Sequence, residues 1–279
     1  MRHQEIKALL SLLDDDDTEV RTHIEDKILS MGDVIIPFLE NEWENSLNPK
    51  VQNRIEDLIH NLQLESTEKK LYEWKKEHQD DLLRGLWAVA TYQYPDLSLE
   101  QLQSEIDQIY YRIWMLFKED MHPSDQIKVI NYVLYDEVKL VANTKHFHSP
   151  ANSMLNEVLR TKKGNPLSLC ALYILLAQKL SLPIFGVNLP NLFILTYQTE
   201  NVQFYINAFN RGLIFTKEDI DNYLAQINLT PSDRFYTPCT NRDIIVRLLR
   251  NLIISFETLG ETQKVLEVKH FLSLFEVND

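Results

Sequence analysis

Between Lys163 and Phe215 one strongly apolar helix runs directly into a set of strand-like segments. A chain with that order has to lay the helix across the strands, because neither can hide its apolar face alone. Asn165 and Pro166 open the helix, the Asn as an N-cap acceptor and the Pro at the first helical position. Leu169, Leu172, Tyr173, Leu176 and Leu180 continue it. Strand-like runs follow at residues 184–188, 193–197 and 202–209, with a fourth at 213–215, and Thr216 or Lys217 opens a further helix. Ahead of the apolar helix, residues 152–162 predict a short helix that Gly164 ends.

On both sides of this block the periodicity is helical. Ile6, Leu9, Leu10 and Leu13 form one apolar stripe, closed by Asp14, Asp15, Asp16 and Asp17. Thr18 can cap the next helix, which places Val20, Ile24 and Ile28 on one face and stops near Gly32. Ile35, Ile36, Phe38 and Leu39 surround Pro37, and Val51, Ile55, Leu58, Ile59 and Leu62 lie at helical spacing. The phrase from Leu12 to Arg21, followed by Gly32 and Ile36-Pro37-Phe38-Leu39, resembles a HEAT repeat, with a partial second copy near Val51. Two copies bury too little to stand alone. The Asp run reads as a solvated linker, since it lacks the spaced ligands, turn glycine and terminal Glu of a calcium loop.

Residues 68–140 stay helical: Leu99, Leu102, Ile106, Ile109, Ile113, Leu116 and Phe117 mark one amphipathic helix, and Ile127, Ile130, Leu134 and Val138 another. Trp87, Tyr92, Tyr110 and Trp114 read as core. Near the C-terminus, Ile244, Leu248, Leu252 and Phe256 form one stripe and Val265, Val268, Leu272 and Phe275 the next, across a turn at Leu259-Gly260-Glu261. This pair resembles a single tetratricopeptide unit, which by itself is a packing element more readily than a peptide groove. The expected fold is α+β and predominantly α-helical, with one small antiparallel sheet. The expected divisions are a HEAT-like segment at 1–65, a central domain at 66–235 (helical lead-in 66–150, core 151–235) and a tetratricopeptide-like hairpin at 236–279.

Charge excludes one class of partner. The net charge is −13, whereas phosphate backbones are held by clustered Lys and Arg, so nucleic acid is not expected. The acidity is uneven: residues 1–65 hold 15 acidic and 6 basic side chains, whereas residues 151–215 hold 2 and 5. Two cysteines, Cys170 and Cys239, make neither a disulfide framework nor a zinc site. No apolar run approaches the ~20 residues of a membrane span and no signal-peptide core follows Met1, so a cytoplasmic protein is expected.

Several phrases recur in a familiar order: residues 152–159, then Lys163-Gly164-Asn165-Pro166-Leu167-Ser168-Leu169, then residues 182–190, Phe193, and Asn207-Ala208-Phe209-Asn210-Arg211-Gly212. Together they resemble the bacterial transglutaminase-like proteins grouped with an invasion regulator, in which a transglutaminase-like domain precedes tetratricopeptide-type helices. Active members of the wider superfamily place a Cys at a helix N-terminus, where the helix dipole favours the thiolate. A His on a following strand takes its proton, and an Asp on the next strand orients the imidazole. The resemblance implies that Pro166, Leu192 and Asn207 stand at these three positions. Pro166 cannot attack a carbonyl, Leu192 cannot move a proton, and Asn207 lacks the charge that steadies an imidazolium.

Replacements for that chemistry are scarce. Cys170 lies four residues after Pro166 and shares its helix face, but a Cys among Leu and Tyr reads as inert core, and Ser168 is two positions off that face. No histidine occurs between His148 and His270. His146 and His148 without nearby carboxylates make a poor metal site, and no phosphate-loop, dinucleotide-glycine or His-Glu-x-x-His motif occurs. No cofactor or metal is expected. Three readings stand: a non-catalytic interaction or scaffold protein with a protein or peptide partner, a divergent cysteine-dependent hydrolase or acyltransferase, and a small-ligand or peptide sensor. The sensor would use a vestigial pocket around Asn165, Pro166, Ser168, Cys170, Leu192 and Asn207.

Overall fold

The computed structural model describes residues 6, 8–10, 12–14, 17–118 and 120–276, mostly in helices. The chain divides into two compact units, Met1–Tyr72 and Glu73–Asp279.

In the first unit, α1 (Thr18–Leu29), α2 (Ile36–Asn45) and the beginning of α3 (Pro49–Glu77) enclose one cluster that includes Leu10, Leu13, Ile28, Leu39, Ile55 and Leu62. Ile24 and Ile28 are buried as the stripe predicts, but Val20 is exposed. Asp17, not Thr18, caps α1: its carboxylate accepts from the Glu19 N–H at 2.8 Å. An Asp at this position also places its charge against the positive end of the helix dipole. Asp15 and Asp16 of the acidic run lie outside the described residues.

The second unit begins with α4 (Leu82–Ala90), α5 (Leu99–Trp114) and α6 (Pro123–Asn131), the last passing into a π-helical turn at Tyr132–Glu137. Leu102, Ile106, Ile109 and Ile113 of α5 are buried. Trp114 is 58% exposed, against expectation, because one further residue turns it about 100° away from the buried stripe.

Two short strands, β1 (Val141–Ala142) and β2 (Lys163–Gly164), pair in parallel. Between them lie a 3-10 turn, Pro150–Ser153, and α7 (Leu155–Thr161). Lys162, at φ 60°, ends α7 in the left-handed region, so the helix stops before Gly164. Gly164 serves a different purpose: a Cβ there would lie 2.7 Å from Ser168 Oγ and 2.9 Å from Leu169 Cδ2. The absence of a side chain lets β2 press against the first turn of the next helix.

That helix, α8 (Pro166–Lys179), is the centre of the unit. Every residue from Leu167 to Ala177 is buried, as befits a helix that is apolar on all sides. The strands β3 (Ile184–Leu189), β4 (Leu192–Gln198), β5 (Gln203–Asn207) and β6 (Leu213–Phe215) follow as an antiparallel sheet in chain order. Pro190 and Asn191 connect β3 to β4, with Asn191 at φ 56°, the Pro-then-positive-φ pattern of a type II turn. The strand expected to reach Phe209 stops at Asn207, whose Oδ1 accepts from the Asn210 N–H at 3.1 Å and starts a 3-10 turn. At Gly212 (φ 71°) a Cβ would lie 1.9 Å from Asn131 Oδ1, and Asn131 Nδ2 donates to the Gly212 carbonyl at 2.9 Å.

Successive side chains alternate across the sheet. Val187, Leu189, Ile194 and Tyr205 pack against Ile220 and Leu224 of α9 (Lys217–Gln226) and against Phe235 and Tyr236. The other face meets α8. Two antiparallel helices complete the unit, α10 (Asn241–Leu259) and α11 (Thr262–Ser273), separated by Gly260 at φ 75°. Ile244, Leu248, Leu252 and Phe256 are all buried. The architecture is therefore α+β and mostly helical with one small antiparallel sheet, joined by a two-strand parallel pair that periodicity did not reveal.

Candidate binding pocket at the start of the central helix

Polar bonds fix where α8 begins. Asn165 Oδ1 accepts from the Ser168 N–H at 2.9 Å, and Ser168 Oγ accepts from the Asn165 N–H at 3.0 Å, a reciprocal capping box. Asn165 Nδ2 also donates to Ser153 Oγ at 3.0 Å. Both residues are buried, so losing either would strand a desolvated polar group. Pro166 then takes the first helical position, where a missing N–H costs nothing.

A pocket of about 220 Å³ opens at this point, with Asn165, Pro166 and Leu167 forming one side. Asn191 and Phe193 approach from the β3–β4 turn and the start of β4. Phe147 and His148 supply another side. Their segment is held by Asn152, whose buried Nδ2 donates to the His146 carbonyl at 2.7 Å and the Phe147 carbonyl at 3.0 Å. Phe147 further meets Phe209 edge-on, with ring centroids 6.2 Å apart.

The remaining side comes from α10, as Arg247, Asn251, Ile254 and Ser255. Arg247 Nη1 donates to Asn188 Oδ1 at 2.9 Å and to the Leu189 carbonyl at 3.3 Å. Half-burial weakens its hold on the proton relative to an ordinary guanidinium, with the neighbouring Arg250 adding to the effect. A guanidinium stays charged in proteins regardless. Ser255 turns its hydroxyl back onto its own helix, donating to the Asn251 carbonyl at 2.9 Å. No Asp or Glu lines the pocket among the described residues.

The six residues singled out from the sequence are spread over five surroundings. Asn165 and Pro166 line the pocket, and Ser168 is enclosed in the capping box. Cys170 is wholly buried one turn further in; its thiol donates to the Phe193 carbonyl at 3.5 Å, and burial pushes its pKa far up. Leu192 packs with Leu189, Ile194 and Tyr205 on the sheet face away from α8. Asn207 spends its side chain on the Asn210 N–H. Leu192 and Asn207 therefore do not line the pocket with Pro166; alternation along β4 puts Phe193 there instead. Among the described residues no three His, Cys, Asp or Glu side chains gather as a metal site.

Arg247, Asn251, Asn191 and the pocket-lining role of His148 escaped the reading of the sequence. One signal was present: Arg247, Asn251 and Ser255 stand four residues apart, a polar row along one side of the helix.

A family model described as the transglutaminase-like superfamily matches residues 100–250. Among curated proteins, a UPF0162 protein of Xylella fastidiosa (strain Temecula1 / ATCC 700964) is 29% identical over 182 residues, covering 59% of this chain and 60% of the relative. F-box only protein 21 of Homo sapiens is 25% identical over 226 residues, 70% of this chain and 36% of the relative. A UPF0162 protein of Vibrio cholerae is 23% identical over 146 residues, 52% of this chain and 54% of the relative. The chain thus spans about 60% of the length of the Xylella relative. No solved structure matches significantly.

Proposed function

The chain belongs to the transglutaminase-like superfamily, and we propose that within it the chain works by binding a protein or peptide partner and carries out no acyl-transfer chemistry. One observation carries this reading: the helix start that would present a nucleophile presents Pro166, and the nearest thiol, Cys170, is wholly buried. A buried thiol held in its neutral form is neither exposed nor ionised, and thiolate is the reactive species. Among the pocket side chains, Ser255 gives its proton to its own helix, and Phe193 faces the helix start where a proton acceptor would be needed. Pro166 is read as the lost nucleophile position within this proposal, whereas Leu192 and Asn207, which sequence resemblance pairs with it, lie outside its pocket. The HEAT-like and tetratricopeptide-like flanks are read as surfaces for the partner. Matching a part of the longer human F-box only protein 21 is in keeping with a segment that is combined with others.

The test is chemical. Folded protein treated with iodoacetamide at neutral pH should leave Cys170 unmodified until denaturant is added, as read by mass spectrometry of the peptides. Incubation with a glutamine-containing peptide and a primary amine should yield no amide exchange and no amide hydrolysis. Rapid alkylation of Cys170, or a turnover that Cys170→Ala abolishes, overturns the reading.

A further inference from the structure

The pocket at the start of α8 is chemically unlike the rest of the molecule. The protein carries 41 acidic residues and a net charge of −13, yet the pocket is lined by an arginine and a histidine and by no carboxylate among the described residues. The arginine is half-buried and makes no ion pair among the described residues. Desolvating a charge without an opposite partner is costly, and solvation is only partly replaced by two neutral oxygens.

How Arg247 is held matters more than its charge. A guanidinium has five N–H donors in one plane. Nη1, which carries two of them, is tied to Asn188 Oδ1 and the Leu189 carbonyl. These bonds orient the plane while leaving the Nε and Nη2 edge without a protein acceptor among the described residues. That edge is the one a carboxylate engages with two parallel hydrogen bonds. Arg247 lines this pocket together with the apolar surfaces of Phe147, Phe193 and Ile254 and the amides of Asn165 and Asn251, and it also borders a neighbouring cavity that includes Arg234 and Asp243.

We propose that this pocket binds a carboxylate that carries one apolar side chain, its two oxygens on the Nε and Nη2 edge of Arg247 and its apolar group between Phe147, Phe193 and Ile254. The volume of about 220 Å³ sets the size. It falls below the roughly 300–1,000 Å³ of sites for drug-sized ligands and suits a single residue or a small acid. Two sources share this chemistry, a free small carboxylate and the C-terminal residue of a peptide, and both are covered by the same contacts. The proposal rests on the binding reading and adds the ligand class to it.

The experiment is a titration of the full chain, followed by calorimetry or ligand-observed NMR, with N-acetyl-phenylalanine, N-acetyl-leucine, their primary amides, and a short peptide ending in free phenylalanine. The acids bind and the amides bind about tenfold more weakly or worse, the loss expected when a charge-assisted pair of hydrogen bonds is removed. A peptide that binds more tightly than the acetylated residue identifies a chain terminus as the ligand; equal affinity identifies the small acid; both support the proposal. Arg247→Gln abolishes the preference for acid over amide. Because Arg247 also steadies β3, Ile254→Trp, at a 48% exposed pocket position, provides a second block that leaves the guanidinium in place. Thermal melting confirms that each variant is folded. Absence of binding by every acid, or equal binding of acids and amides, overturns the proposal. Turnover of the glutamine peptide in the assay above overturns the binding reading itself, so the two failures are read separately.

Discussion

The two faces of the four-stranded sheet are built from the same strands and end in opposite ways. On the face toward α9, Leu189, Leu192, Ile194 and Tyr205 are covered by Ile220, Leu224, Phe235 and Tyr236. Polar bonds close that covering: Tyr223 Oη donates to the Pro190 carbonyl at 2.7 Å, Tyr205 Oη to the Tyr236 carbonyl at 3.2 Å, and Tyr236 Oη to Asp221. On the face toward α8, packing is tight over the middle of the strands, where a Cβ on Gly186 would lie 2.7 Å from the Phe193 ring. At the helix start that packing gives way to the open pocket. One residue step along β4 moves a side chain from the closed side to the pocket side. Chemistry assigned by alignment alone is therefore sensitive to a shift of a single position.

Large-to-small substitutions test this contrast most strongly. Phe193→Ala removes a fully buried ring and should cost about 3–5 kcal/mol in denaturant unfolding. Leu192→Ala, which trims a half-buried side chain on the opposite face, should cost less than the ~2 kcal/mol that marks the lower end for buried leucines. Equal losses would break the assignment of faces. Next in size is Asn165→Ala, which removes the cap and strands the Ser153 hydroxyl; about 2 kcal/mol is expected from thermal or chemical melts. Unchanged stability would place the helix start elsewhere. The smallest expected effect is the sharpest. The triple variant Pro166→Cys, Leu192→His, Asn207→Asp should show no acyl-transfer activity, because the new imidazole and carboxylate fall outside the pocket that holds the new thiol. Detectable turnover in that variant would show that the two faces communicate at this corner.

Much of this arrangement was legible in the residues. Asn165 with Pro166 announces a helix start by local chemistry, and the runs from Ile184 to Phe215 announce strands by composition, since both signals operate within a few positions. What escaped notice depends on partners far along the chain or on a single backbone angle. The end of α7 turns on Lys162 accepting a left-handed conformation, and the end of β5 turns on Asn207 preferring the Asn210 N–H to another ladder bond. Arg247 joins the pocket through Asn188, 59 positions away, a distance at which no local pattern speaks. The parallel pairing of Val141–Ala142 with Lys163–Gly164 involves too few residues to leave a period.

Gly164, Asn165 and Pro166 have a consequence for how such a site can change over time. The glycine admits the approach of the helix, the asparagine closes its first turn, and the proline requires no bond that the neighbours must supply. The position of the helix is thus secured by backbone and cap, independently of what stands at its first residue. A reactive group can be lost or replaced there while the surrounding walls stay in register. The corner is a fixed mounting whose fitting is exchangeable, so new recognition can be written on it without refolding the domain that carries it.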